Sequence, residues 1–501
     1  MKAPILSLLL LTGMISSPAV GKDEIDLKKA AYSVDTHVAK IFKSKSLKVP
    51  KVVDDGIFLR RTFLVGAGRI PTLKEAQSFL EIEDANKREV LVEYLLGTDG
   101  YRSHMQNYVY DMLRIREDRN GQGDPDSYPY TRFVYNAVRE NMPWDQFARK
   151  LVGSHGSAWE PGNGAVGFYI RDKGMPLDNL SITMQIFAGE RFEGALQRDN
   201  SYIGSEIPFI ITPLKERVRE PSGCRKKVTS GKRDAGKSRI KFAEWLTREN
   251  DNFDYITVNR MWERIMGSPI TAPVDEYVEE KDTLSPELTR YLKGLLRDLN
   301  YDLKAFQKVL LLTKTFQFAA NSKAFEAGVP QAFNGRQLQR MNAEQVWDSL
   351  VTLVTGTPDK LAQRTFSDTI FYKGKPRMVG EKTMTQLARE VLKIDSTREY
   401  RKFVDVLLTE FEKSTESYQG DGTEMGMSMM GRLKRPGPAR GIARASELAA
   451  PAPRGHLLRE FGQSNRELIN SSSREANLAQ VLQIMNGHVE KMVVSNSGHS
   501  P

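Results

Sequence analysis

Apolar residues recur along most of this chain at the three- and four-residue spacing of one helical face, and rarely alternate as in a half-buried strand. The pattern predicts a helix from Ile25 to Lys43, a second from Asp54 to Leu64, and a third opening at Ile70-Pro71-Thr72, where Thr72 and Glu75 have capping-box spacing. Leu73, Ala76 and Leu80 share a face of the third helix, and Val90, Leu91, Tyr94 and Leu95 continue the spacing. Pro143 is placed to open a helix over Trp144 to Leu151, since a first-turn N–H has no partner to lose. Leu180, Met184 and Phe187 stripe a helix at Asp178 to Ala188. Helical spacing resumes at Phe242 to Leu246, Tyr255 to Met266, after Pro286, at Leu303 to Phe316 and at Ala343 to Thr355. Leu478, Leu482, Met485, Val489 and Met492 form a last stripe, which packing on the core would bury, with an intermolecular contact as the alternative. Ala165 to Ile170 is the best strand signal, so the predicted fold is mainly α.

Two stretches break the pattern. Residues 211–238 are basic and aperiodic, and Ser414 to Pro453 carries Gly, Met, Pro and Arg where apolar positions would recur. They predict two helical domains, 22–210 and 239–501, joined by a basic flexible linker, with a disordered insert at 414–453. No internal repeat is visible.

The first 21 residues have the form of a signal peptide: Lys2, a short apolar stretch from Ile5 to Ile15, and Ala19-Val20-Gly21 as a small-x-small cleavage site. An exported protein of the periplasm or cell surface is expected, without a transmembrane anchor, because no apolar run approaches the ~20 residues a membrane helix needs. Cys224, the single cysteine, makes no internal disulfide, C-x-x-C-H haem attachment or thiolate zinc site possible.

The formal charge of +10 is concentrated. Between Lys215 and Lys241, eleven Lys and Arg face three acids, leaving the rest of the chain nearly neutral. No aromatics interleave with these cations, which makes nucleic acid an unlikely partner and simple attraction to a polyanion the natural reading. Arg225, Lys226, Lys227, Lys232 and Arg233 are the candidate contacts, against the plainer role of a solvated spacer.

Gly231 to Ser238 satisfies G-x-x-x-x-G-K-S, yet its approach is charged and offers no buried strand to deliver a phosphate loop. Gly162 to Gly167 satisfies G-x-G-x-x-G, but in a turn-rich loop without the strand-to-helix order a dinucleotide needs. The histidines stand singly, and Met425, Met427, Met429 and Met430 lie in a Gly-rich setting. No cofactor is expected.

Several ordered blocks carry a family resemblance. Asp54 to Arg61, Gly68-Arg69-Ile70-Pro71-Thr72 and Lys87-Arg88 come first; Ala243 to Thr247, Val258-Asn259-Arg260-Met261-Trp262, Ser285 to Leu288 and Met341 to Leu350 follow. Arg444-Ala445-Ser446-Glu447-Leu448, Gly455-His456, Arg459 to Ser464 and Leu482 to Gly487 complete the series. The chain resembles the planctomycete-type secreted cytochrome-associated proteins, which pair PSCyt-type and PSD-type domains of unknown function. The resemblance picks out Arg60, Arg61, Asn259, Arg260, Trp262, Arg459 and Gln463 as polar or aromatic positions of interest, and Arg pairs there suit either oxyanion binding or structural ion pairs and carbonyl caps.

Departures bear on function. Where relatives carry Cys-Ala-x-Cys-His after a helix like Asn179 to Arg191, this chain reads Gly194-Ala195-Leu196-Gln197-Arg198. Where they tend to read Leu-Asp-Leu-Thr-Gly, it has Leu64-Val65-Gly66-Ala67-Gly68. The expectation is an exported, non-catalytic binding or scaffold component of a cell-envelope assembly, without covalent haem. An envelope electron-transfer component and an exported polysaccharide hydrolase are the alternatives. An envelope protein, sulfatase-like as the resemblance implies, or an acidic polysaccharide is the expected partner.

Overall fold

The computed structural model describes residues 25–116, 128–170, 176–190, 235–321, 333–378, 442–475 and 478–486, apart from isolated positions within them. Among these residues the fold is mainly α. In chain order the longer helices are α1 (Leu27–Ser44), α2 (Asp55–Gly66), α3 (Leu73–Leu80), α4 (Lys87–Gly97), α5 (Asp99–Met112), α6 (Tyr128–Arg139), α7 (Trp144–Val152) and α8 (Pro176–Ala188). They continue with α9 (Ala235–Arg248), α10 (Asp251–Met266), α11 (Pro286–Asp298), α12 (Leu303–Leu312), α13 (Ala343–Thr355) and α14 (Leu478–Asn486). Strands are minor: β1 (Ala320–Asn321) pairs parallel with β2 (Arg336–Gln337), and β3 (Thr369–Tyr372) pairs antiparallel with β4 (Lys375–Met378).

The helices begin where side chains satisfy free N–H groups. Asp54 accepts from the Ile57 amide at 2.8 Å, and Thr72 and Glu75 form the reciprocal capping box that their spacing predicts. Pro286 stands in the first turn of α11 behind a Ser285 cap. Asn342 and Gln345 form a second capping box at α13.

Both stretches of the chain contribute to one core. A single cluster of buried apolar residues runs from Ala30 and Val34 of α1 through Leu95, Tyr110 and Phe187 to Trp262, Leu292, Phe306 and Phe333. Helix α1 packs on α11 and α12, α4 on α12, α7 on α9, and α8 on α10. Polar contacts reinforce the join: Asp35 of α1 accepts from the Lys314 and Thr315 amides at 2.8 and 2.9 Å. Lys51 and Val53 exchange backbone hydrogen bonds with Ala319 and Gln317.

Several expectations change. Ala165 to Ile170 is helical, a 3-10 turn at Gly164–Val166 followed by a single α turn at Gly167–Ile170. Gly164 to Phe168 are buried without alternation, and a Cβ at Gly167 would stand 2.2 Å from that of Tyr130, so the glycine lets the turn nest on α6. The helix predicted over Leu303 to Phe316 breaks at Thr313, whose hydroxyl accepts from the Phe316 amide and starts a new turn. Helix α3 buries Phe79 while Leu73 and Leu80 are more than half exposed. Residues 442–453 of the predicted insert are irregular but largely buried, because their polar backbone is held by side chains from α5 and α13; 414–441 lie outside the described residues. The α14 stripe does not face the core: Leu478 is 73 % and Met485 61 % exposed, whereas Gln480 points inward to the Glu460 and Glu475 carbonyls.

Candidate functional site

Gly68 places Arg69. Its φ of +69° and the ring of His104, whose Nδ1 would lie 2.6 Å from an added Cβ, leave room only for glycine, and the turn aims the next side chain inward. There the Arg69 guanidinium, 1 % exposed, makes two parallel bonds of 2.9 Å to Glu75 and a further bond of 2.7 Å to Asp359. Asp359 also pairs with Arg444, which reaches Asp348 of α13 at 2.9 Å and the Ala67 carbonyl at 2.7 Å. Asp348 accepts from the Ala445 amide as well, at 2.7 Å. Two guanidinium groups and three carboxylates thus form a buried clasp from residues far apart in the sequence.

Adjoining it, Glu447 accepts from Arg139 at 3.3 Å and from the Arg364 amide at 2.6 Å, and Asp99 joins Arg102 and Arg139. Burial opposes charge throughout the clasp, and geometry decides the outcome. At Asp359 the two guanidinium groups outweigh burial and hold the carboxyl below its ordinary value. At Asp348, with Arg444 alone, burial prevails and pushes the carboxyl up.

The polar positions singled out from the motif blocks are largely engaged in structure. Asn259 closes the 270–274 turn, accepting from the Ile270 and Thr271 amides and donating to the Thr271 and Val274 carbonyls. Arg260 caps the end of α8 by donating to the Gln185 and Ile186 carbonyls, and Trp262 is fully buried against Phe333. Arg61 donates to the Phe316 and Phe318 carbonyls at 2.6 and 2.9 Å, and Gln463 accepts from the Ala452 amide at 2.8 Å. Arg60 is exposed, with Nη2 4.0 Å from Met341 Sδ, and Arg459 is half-buried without an ion pair among the described residues. The structure does not bring these seven residues together.

The basic candidates Arg225, Lys226, Lys227, Lys232 and Arg233 lie outside the described residues, as do Gly194 to Arg198 and the Met425 to Met430 run. Of the phosphate-loop match, Ala235 to Ser238 form the first turn of α9. His104 is buried, and burial pushes its imidazole pKa well down; His456 caps a one-turn helix through Nδ1. Among the described residues no three His, Cys, Asp or Glu side chains gather as a metal site.

Glu75 was legible as half of a capping box but not as a partner of Arg69, and neither Asp359 nor the role of Arg444 was singled out in the sequence. The available signal was the presence of Arg69, Asp348 and Arg444 in three separate motif blocks, without any indication that the blocks meet.

With the geometry established, comparison supplies a family match. Residues 33–184 match PSCyt2, a protein family of unknown function (DUF1549), and residues 238–498 match PSD1, a protein family of unknown function (DUF1553). Searches of curated proteins and of solved structures found no match to the chain. The clasp joins the two matched segments, with Arg69 and Glu75 from the first and Asp348, Asp359 and Arg444 from the second.

Removing one partner of a buried ion pair leaves an uncompensated charge. Arg444→Met is therefore expected to lower the unfolding free energy by about 3–5 kcal/mol in urea denaturation. Arg444→Met combined with Asp348→Leu, which removes the stranded carboxylate, is expected to cost less than Arg444→Met alone. A double variant no more stable than the single one would contradict the clasp.

A second carboxyl gives a pH test. Glu190, just beyond α8, accepts from Asn252 at 3.2 Å, but burial outweighs that bond and pushes its pKa up to about 7 from an ordinary 4.5. Between those values the folded state holds the extra proton, so stability falls as pH rises from 4.5 through about 7 and does not return above it. Glu190→Gln should melt higher than the parent at pH 8 and converge with it toward pH 4.5. A difference independent of pH would contradict the assignment.

Proposed function

From a chain that belongs to the tandem PSCyt2–PSD1 family, we propose an exported, non-catalytic binding or scaffold component of a cell-envelope assembly. The observation that supports this reading is the use made of the motif residues. Arg69, Asp348 and Arg444 join the two segments, while Arg61, Asn259 and Arg260 cap backbone groups. Motifs used this way maintain one body whose surface is free to meet partners, and each carboxylate of the clasp is engaged by an arginine instead of facing an open cleft.

In this reading the basic stretch containing Arg225, Lys226, Lys227, Lys232 and Arg233 tethers the body to acidic polysaccharide or another anionic envelope surface. Its attraction weakens as the Debye length falls from ~10 Å at 0.1 M salt to ~3 Å at 1 M. The test is to incubate the mature protein with immobilised acidic polysaccharide and measure both retention and released reducing ends. Saturable retention lost at moderate salt and lost when the five residues are changed to Gln, with no reducing ends released, is the expected result. Reducing ends released in proportion to protein concentration would overturn the non-catalytic reading.

A further inference from the structure

A second group of arginines is arranged in the opposite way to the clasp. Arg61 of α2 and Arg474, just before α14, lie close enough to Arg336 of β2 to act on its charge, with Arg340 beside Arg474 and Arg60 beside Met341. The Arg61 and Arg336 guanidinium carbons lie 5.8 and 5.4 Å from the centroid of the same ring, that of Phe316. Arg336 donates to the Ile265 carbonyl, and Arg474 donates to Gln339 at 2.7 Å, which in turn donates to the Gly267 carbonyl. Arg340 reaches the Arg474 carbonyl at 3.3 Å.

Among the described residues, none of these five guanidinium groups is within ion-pair distance of a carboxylate, whereas Arg69 and Arg444 each have two. The available compensation is weak. Arg61 donates to the Phe316 and Phe318 carbonyls, and the carbonyls of Ile265 and Gly267 belong to the C-terminal end of α10; these are partial charges, about half an elementary charge at a helix terminus. Glu263 and Glu344 are the acids that act on Arg474, neither within ion-pair distance of it, and burial pushes both carboxyls up. Burial, then Arg61 and Arg474, push the Arg336 guanidinium down to about 9.

We infer that this recess is a binding site for a tetrahedral oxyanion, a sulfate or phosphate group. Three forks arriving from three elements match a group with three outward oxygens better than a planar carboxylate with two, and guanidinium supplies paired N–H donors with fixed charge. Solvent reaches the group: Gln339, Arg340 and Arg474 are exposed, and Arg61 and Arg336 are partly so. This site is distinct from the basic stretch of the proposed function and does not depend on that reading.

The experiment is thermal unfolding and calorimetric titration of the mature protein with sodium sulfate, sodium phosphate and sodium glucuronate, each against sodium chloride of equal ionic strength. Sulfate or phosphate should raise the melting temperature saturably above the chloride control, with glucuronate weaker. Glucose 6-sulfate and glucose 6-phosphate, run beside the inorganic ions, distinguish a sugar-borne group from the free ion by which binds more tightly. Arg474→Gln, at an exposed position, should fold normally and weaken binding at least tenfold. Arg336→Lys keeps the charge, loses the fork and should weaken it as well. The variant with Gln at positions 225, 226, 227, 232 and 233 should respond like the parent. No saturable effect beyond chloride, undiminished binding by both arginine variants, tighter binding of glucuronate, or loss of the response in the five-Gln variant would each overturn the assignment.

Discussion

Arg69, Arg444 and Asp348 are ionisable groups withdrawn from water, and none can remain charged in the interior without the pairing that they and the partly exposed Glu75 and Asp359 provide. An isolated buried charge costs several kcal/mol even after relaxation, whereas a pair with good geometry and further hydrogen bonds approximately balances that cost. The turn at Gly68, the start of α3, the inner face of α13 and the 444–447 turn are therefore fixed relative to one another. Such a clasp contributes less to net stability than a well-packed apolar cluster would, but it specifies which surfaces meet. The apolar core then closes around that choice, with α1 and α4 on α12 and α7 on α9.

Arginine has three different settings in this molecule, and the difference lies in what surrounds each guanidinium. At Arg69, burial opposes the charge and is outweighed by Glu75 and Asp359. At Arg260, the end of α8 supplies carbonyl oxygens and the group serves as a cap inside the core, with burial pushing its pKa down. Around Phe316 neither form of compensation matches the charge present. One residue type thus provides specificity, capping and a positively charged recess.

The helices were legible because caps and periodicity are local. Thr72 with Glu75 and Pro286 after Ser285 are read within one turn, and each marks a helix start in the structure. Pairing over distance was not legible, since Arg69 and Asp359 are 290 residues apart and no spacing rule relates them. Local periodicity also misled where burial is decided elsewhere. Leu73 and Leu80 fit an apolar face, yet Phe79 is the residue α3 inserts into the core. The α14 stripe faces outward because Gln480 is drawn inward by two backbone carbonyls. Residues 442–453 lack any period, and the backbone bonds that order part of them come from Gln106, Trp347 and Asp348.

Through the clasp and the shared core, the segments matching PSCyt2 and PSD1 are joined as one body, which should open cooperatively. Native-state hydrogen exchange measures this directly, by comparing the opening free energies of the slowest amides in α5 with those in α10 and α12. A common value for all three helices, lowered equally when the clasp is broken, is the expected result. A distinctly lower value for α5, with α10 and α12 unaffected by loss of the clasp, would show two independently folding domains and contradict it.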